Sequence, residues 1–365
     1  MPAEILFAIR NGCGHVTLDR PAALNALSFA MIQALARQLR AWADDPQVRA
    51  VLVRGAGGKA FCAGGDIRAL YDSFKAGQTG HALFFAEEYK LDYFIHRYPK
   101  PYIALMDGVV MGGGMGISQG ATFRVVTERT RLAMPEVGIG LFPDVGASYF
   151  LSRLPGALGL YLGLTGVQIR AADILYCGLA DWFIDAEQLA AFDAALDDRP
   201  STADRRRDLT GLLQRLGSKT LPECPLAQLR PAIDVHFACD SVAAIIASLG
   251  SERRPEYLKW AADTLATLGK RSPTMLCVTH EQLRRGASMR LADCFRMELG
   301  MVYECFAQGD FVEGIRALIV DKDNRPQWNP PTLDEVQKES VARFFAPRWV
   351  LQDHPLRELN DETGA

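Results

Sequence analysis

Two stretches of this chain end a strand-like run in a cluster of glycines and then open a helix-like one. "VRAVLVRG" leads through "GAGGKAFCAGGD" into a helical pattern beginning at Asp66, and "KPYIALMDGVV" leads through "MGGGMG" into a short helix before the strand-like "FRVVT". A strand that ends in glycines and starts a helix presents unpaired backbone N–H groups at the positive end of the helix dipole, and glycine lets a ligand come close. One such loop binds a phosphate or simply makes a turn. Two in one core can aim two N–H donors at a single oxygen, forming an oxyanion hole; turns and packing alone are the competing reading. Neither loop is a Walker A motif, and neither opens a helix as G-x-G-x-x-G with an acid placed for a ribose.

Around this repeat the pattern is α/β. "EILFAIRNGCGHVTLD" predicts a hairpin turning at Asn11-Gly12, and "LSFAMIQALARQLRAWADD" has helical spacing with Ser28 as N-cap. Strands alternating with helices imply short sheets covered by helices. At "LDDRPSTADRRRD" the composition turns charged and polar, as in a linker or exposed loop. Beyond it, "DSVAAIIASL", "PEYLKWAADTLATL", "TMLCVTHEQLRRG" and "LADCFRMELGMVYECFAQ" all have helical spacing. The expected organisation is therefore a core over residues 1–200 and a mostly helical region over 201–365.

The 365 residues suffice for a substantial core, and the formal net charge of -3 gives no electrostatic case for nucleic-acid binding. No apolar stretch is long enough for a bilayer, and the N-terminus lacks a basic region followed by a long apolar run, so neither a membrane span nor a secretory signal is expected. None of the eight cysteines forms a C-x-x-C pair, and several lie in apolar runs, so a reducing cytoplasm is the expected compartment.

"AMPEVGIGLFPDVGASYF", residues 133–150, is almost wholly apolar residues, glycine and proline, yet contains Glu136 and Asp144. A carboxylate taken out of water finds partners, shifts its pKa or works in a cleft. Asp144 precedes a helical run, so N-capping is its ordinary role; Glu136 follows Pro135 and reads ordinarily as a first-turn acid. The functional reading makes Glu136 a general base or nucleophile raised by apolar neighbours and by a second acid. "GISQG", Gly116 to Gly120, matches G-x-S-x-G, with His236, His280 and His354 downstream. The match is loose, because the glycine triplet already makes the turn and Ser118 falls in the helix.

Three stretches together resemble the crotonase, or enoyl-CoA hydratase/isomerase, superfamily: "LDRPAALNALSFAMI", "GKAFCAGGDIRAL" and the long run from "DGVVMGGGMG" to "SYFLSRLPG". Within it, "EEYKLDYFIHRYPKPYIALMDG", "PEVGIGLFPDVG", "KRSPTMLCVTHEQLRRG" and "DFVEGIRALIVDKDNRPQWNP" are similar to the 3-hydroxyisobutyryl-CoA hydrolase branch. The resemblance implies a crotonase-like spiral of repeated ββα units with a mostly helical C-terminal part, and a short-chain 3-hydroxyacyl-CoA thioester as substrate. It implies that the thioester carbonyl accepts from the N–H groups of Gly65 and Gly113, that Glu136 is the main catalytic carboxylate and that Asp144 is its partner. It points to Ala22, Leu24, Ala63, Asp66 and Ile67 for CoA. Glu88 is implied at the hydroxyl end of the substrate, although by sequence alone it reads as a solvated helix acid.

One departure bears on the reaction. Hydratases of the superfamily place a second glutamate two positions after the glycine triplet, where this chain has Gly116, and commonly have glycine where it has Asp144. Hydration needs both a base for water and an acid for the α-carbon, so hydrolysis is favoured. An enoyl-CoA hydratase or isomerase, and a non-catalytic acyl-CoA-binding protein, are the alternatives. No metal or cofactor beyond the CoA of the substrate is implied, and assembly is open between a monomer and a homo-oligomer.

Overall fold

The computed structural model describes residues 3–198, 204–218 and 220–361. The contacts divide into two compact units, 1–66 with 91–132 and 168–225, and 67–90 with 133–167 and 226–365. The units are interleaved along the chain rather than consecutive about residue 200. The centre of the charged stretch, 199–203, lies outside the described residues; its flanks are the helices Leu189–Asp198 and Arg205–Leu216.

The first unit carries the strands. β1 (Ile5–Arg10) and β2 (Cys13–Leu18) form the expected hairpin, with Asn11 and Gly12 both at positive φ (45° and 71°), the twist that matches two-residue hairpins. β3 (Ala50–Gly55), β4 (Ala60–Cys62), β5 (Tyr102–Met106), β6 (Val109–Met111), β7 (Phe123–Val126), β8 (Arg131–Ala133), β9 (Ile169–Arg170) and β10 (Trp182–Phe183) follow. One sheet has the order β1-β2-β3-β5-β7-β10, parallel from β2 onward; the other has the order β4-β6-β8-β9. Ala50 to Val53 are wholly buried, as a parallel strand covered on both faces requires. Leu52, Leu105 and Val125 pack with Phe192, Leu209 and Leu213 of the two flanking helices in one apolar cluster.

The glycine-rich units are thus two copies of strand, short strand, helix. β3 and β4 lead to the helix Ile67–Lys75, and β5 and β6 lead to the helix Gly113–Gln119, which begins inside the glycine triplet. The helix Phe29–Asp44 starts as the sequence predicts, with Ser28 accepting from the Met31 N–H at 3.2 Å.

The second unit is mostly helical. Val242–Gly250, Pro255–Leu268, Pro273–Gly286 and Leu291–Gln308 are the four helices foreseen from spacing. Against the last two packs the short helix Ala147–Phe150, and Leu158–Thr165 packs against Pro273–Gly286. The C-terminal region therefore shares its core with 133–167 instead of building one alone. Among the described residues, no helix is long and apolar enough to cross a membrane.

Candidate functional site

In the first unit the two glycine loops adjoin, because β4 and β6 pair in parallel. A Cβ on Gly64 would lie 3.8 Å from the Gly113 nitrogen. A Cβ on Gly114 would collide with the Cys62 carbonyl and stand 3.0 Å from the Cys62 side chain, so only glycine permits this approach. Gly65 bridges to Leu27, but both bonds of that bridge belong to its neighbours: Leu27 N–H donates to Gly64 O (2.8 Å) and Asp66 N–H to Leu27 O (2.9 Å). The Gly65 N–H consequently projects from the opposite edge. Gly113 is the first residue of its helix, so its N–H has no intrahelical acceptor.

The stretch Arg20 to Leu27 is laid against the same loop. Asn25 Nδ2 donates to Ala56 O (2.9 Å) and Ala60 O (2.8 Å), and Ala63 N–H donates to Leu24 O (3.1 Å). Asp66 pairs with Arg20 at 2.9 Å. Ala22 and Leu24 are exposed, Leu24 in the left-handed region at φ 51°, while Ala63 and Asp66 are half-buried beside them. Four of the five residues implied for CoA are thus brought together; the fifth, Ile67, opens the helix Ile67–Lys75 of the second unit.

In the second unit the structure gathers acids. Glu136 opens the 3₁₀ turn Glu136–Ile139, entered through Pro135 and closed by Gly140 in the left-handed region. It is 5% exposed, its Oε2 has no hydrogen-bond partner among the described residues, and burial followed by the Asp144 charge raises its pKa well above the carboxylate norm. Asp144, raised to about 6 by burial despite the 2.7 Å bond from the Tyr89 hydroxyl, lies beside it. Glu88, on the helix Gly80–His96, is buried rather than solvated; burial, then Asp144, then Glu136 hold its pKa high. Three carboxyl groups in mutual electrostatic reach and out of water titrate as a coupled set. Burial and like charge make such carboxylates more basic than ordinary surface acids.

The ordinary role of Asp144 is corrected. The short helix Ala147–Phe150 has Gly146 as its N-cap residue with no side-chain cap. At this turn the Glu298 carboxyl group accepts from the Gly146 (2.7 Å) and Ser148 (2.9 Å) N–H groups, while the Asp144 backbone carbonyl accepts from Ala147 N–H (2.9 Å). Glu298 is fully buried and raised to about 8 by that burial. Sequence reasoning passed over it, yet Leu291, Cys294, Phe295, Leu299, Val302 and Cys305 define a buried helical stripe, and Glu298 falls within it. Tyr89, packed against Phe85 and Phe295, was also missed.

Gly116 is filled from elsewhere. A Cβ there would lie 2.8 Å from Asp92 Cγ, so the buried Asp92 carboxyl group occupies the space a side chain would need. Ser118 is wholly buried and bonds the Met115 carbonyl at 3.2 Å, an i−3 contact within its helix, which is no place for a nucleophile. His236 contacts Ser248 and Glu252, His280 the Cys239 carbonyl, and His354 the Arg296 carbonyl. Among the described residues, no group of three His, Cys, Asp or Glu side chains could hold a metal ion.

The family pattern described as enoyl-CoA hydratase/isomerase matches residues 13–345. The chain is 42% identical over 349 residues to the 3-hydroxyisobutyryl-CoA hydrolase, mitochondrial, of Gallus gallus, covering 94% of this chain and 89% of the relative. It is likewise 42% identical to that of Danio rerio, covering 94% and 90%. A solved structure described as a carnitinyl-CoA dehydratase from Mycobacterium thermoresistibile superposes with a TM-score of 0.86 at 41% identity, over 94% of this chain and 96% of that one. These relatives overturn the cytoplasmic expectation, since those named as hydrolases are mitochondrial. Free cysteines constrain redox poise and not the compartment, which is why the inference failed. Motif order, ββα repeat and extent of match agree: the chain belongs to the enoyl-CoA hydratase/isomerase family, in the 3-hydroxyisobutyryl-CoA hydrolase branch of it.

Proposed function

We propose that this protein hydrolyses a short-chain 3-hydroxyacyl-CoA thioester, with 3-hydroxyisobutyryl-CoA as the preferred substrate, giving the free hydroxy acid and CoA. The observation that carries the reading is end-to-end similarity to hydrolases of that name, 42% identity over 94% of the chain. In this reading the thioester oxygen accepts from the Gly65 and Gly113 N–H groups, which stabilise the charge that develops as the carbonyl carbon becomes tetrahedral. Ionised Glu136 takes a proton from water while the water oxygen bonds that carbon; collapse breaks the C–S bond and expels the CoA thiolate. Alternatively, Glu136 attacks the carbonyl carbon directly, the C–S bond breaks to expel the CoA thiolate, and water then opens the mixed anhydride to release the hydroxy acid and return the Glu136 carboxylate. A thiolate of pKa about 8.5 leaves without much general-acid help. Asp144 orients the water, Glu88 meets the substrate hydroxyl, and backbone around Ala22, Leu24, Ala63, Asp66 and Ile67 holds the CoA. No step uses a metal or redox group.

The dehydratase description of a neighbour at 41% identity favours a second reading, water elimination or addition. Against it stands Gly116, whose space is occupied by Asp92. The experiment is thiol release from 3-hydroxyisobutyryl-CoA, followed with a chromogenic thiol reagent, beside crotonyl-CoA hydration followed by loss of enoyl-thioester absorbance. Thiol release without hydration is expected. Hydration without thiol release selects the second reading.

A further inference from the structure

The loop that carries Asp144 is held from both sides by helices far along the chain. Glu298 accepts the Gly146 and Ser148 N–H groups at 2.7 and 2.9 Å. From the neighbouring helix, Gln282 Nε2 donates to Pro143 O (2.6 Å) and to Ser148 Oγ (2.8 Å). Between these anchors Val145 has φ +53°. A β-branched residue in the left-handed region is a genuine outlier, and it persists only where its surroundings over-determine it. Val145 is 1% exposed, Glu298 and Gln282 0%. The loop therefore has a conformation its own sequence disfavours, fixed by groups 134 to 152 residues away.

An aspartate just before a short helix would ordinarily turn its carboxylate onto the helix N–H groups. Here the Gly146 and Ser148 N–H groups are taken by Glu298 and the Ala147 N–H by the Asp144 backbone carbonyl, so the Asp144 carboxylate is left to accept from Tyr89 within electrostatic reach of Glu136 and Glu88. We propose that Glu298 and Gln282 are positioning residues for the reaction: Glu298 takes the Gly146 and Ser148 N–H groups in place of the Asp144 carboxylate, Gln282 ties down the Pro143 carbonyl and the Ser148 hydroxyl, and together they hold Val145 left-handed, so that the Asp144 carboxylate is delivered to the acid cluster. The proposal rests on the reading of Asp144 as the second carboxylate of thioester hydrolysis.

Glu298→Gln keeps the volume but replaces one acceptor with a donor, leaving one loop N–H unmatched. It should lower kcat for 3-hydroxyisobutyryl-CoA about 10- to 100-fold with KM little changed, as expected when a reacting group is misplaced. Hydrogen exchange at the Gly146 and Ser148 amides should accelerate while the strands of the first unit stay protected. Introducing Val145→Gly into this variant should restore about tenfold of kcat, because glycine adopts the left-handed conformation without strain. Gln282→Met tests the other anchor, with the same rescue, should Glu298→Gln fail to fold. A kcat within twofold of the parent in whichever variant folds overturns the proposal. So does a Val145→Gly loss that multiplies with the first, since that is the signature of packing alone. A parent enzyme that releases no thiol from 3-hydroxyacyl-CoA removes the functional reading and this proposal with it, whereas an active parent with unaffected variants removes the proposal alone.

Discussion

Burial of three carboxyl groups beside one another raises each of them, and the sign of that shift makes the residue-scale predictions. Glu136→Gln removes the only atoms that can take a proton or attack at that position, so kcat should fall about 10³-fold or more while CoA-ester binding persists, measured by thiol release and by calorimetric titration. In the parent, kcat/KM should rise with pH along a limb above about 6, because the Asp144 value is about 6 and that of Glu136 is raised as well. A limb near 4 would mean that neither acid is buried during turnover. For stability the direction is opposite. Between the ordinary aspartate range and about pH 6 the folded protein holds a proton on Asp144 that the unfolded chain has lost, so stability falls as pH rises through that window. Asp144→Asn removes this dependence and keeps an acceptor for Tyr89. Its Tm at pH 7 should match or exceed that of the parent while activity drops sharply; a loss of about 1 kcal/mol would instead reinstate the capping role.

At the scale of elements, the repeated unit of strand, short strand and helix explains why glycines cluster where they do. The second loop must pass within contact of the Cys62 carbonyl at Gly114, and its helix must leave room for Asp92 at Gly116. Both pressures come from neighbouring elements and not from the loop itself. Restoring a hydratase-like acid with Gly116→Glu should therefore not create a hydratase. The new side chain meets Asp92 in a packed interior, and overpacking of this kind costs about 1 to 3 kcal/mol. Thermal unfolding should show the loss; crotonyl-CoA hydration by a stable Gly116→Glu variant would refute this account of the site.

At the scale of the whole molecule, interleaving has a direct consequence. Segments 67–90 and 133–167 belong with 226–365 in one compact unit, so the chain does not divide at residue 200 into pieces that each own a core. A fragment comprising 1–200 should expose the apolar faces of Ala147–Phe150 and Leu158–Thr165, aggregate, and show no cooperative unfolding by circular dichroism. A soluble, cooperatively unfolding fragment would argue for consecutive domains.

Local patterning was enough for the hairpin at Asn11-Gly12, the Ser28 cap, both glycine-rich repeats and the helices of the second part, since each depends on residues within a few positions of one another. The quoted motifs likewise made the family legible, and with it the acids Glu136 and Asp144 as candidates. What the tertiary structure alone decided is what those acids experience. Glu88 is buried because of what packs over its helix, and the Asp144 side chain is freed from capping because Glu298, 154 positions later, accepts the Gly146 and Ser148 N–H groups. A pKa and a hydrogen-bond partner are set by everything within a few ångströms, and sequence distance does not report which groups those are.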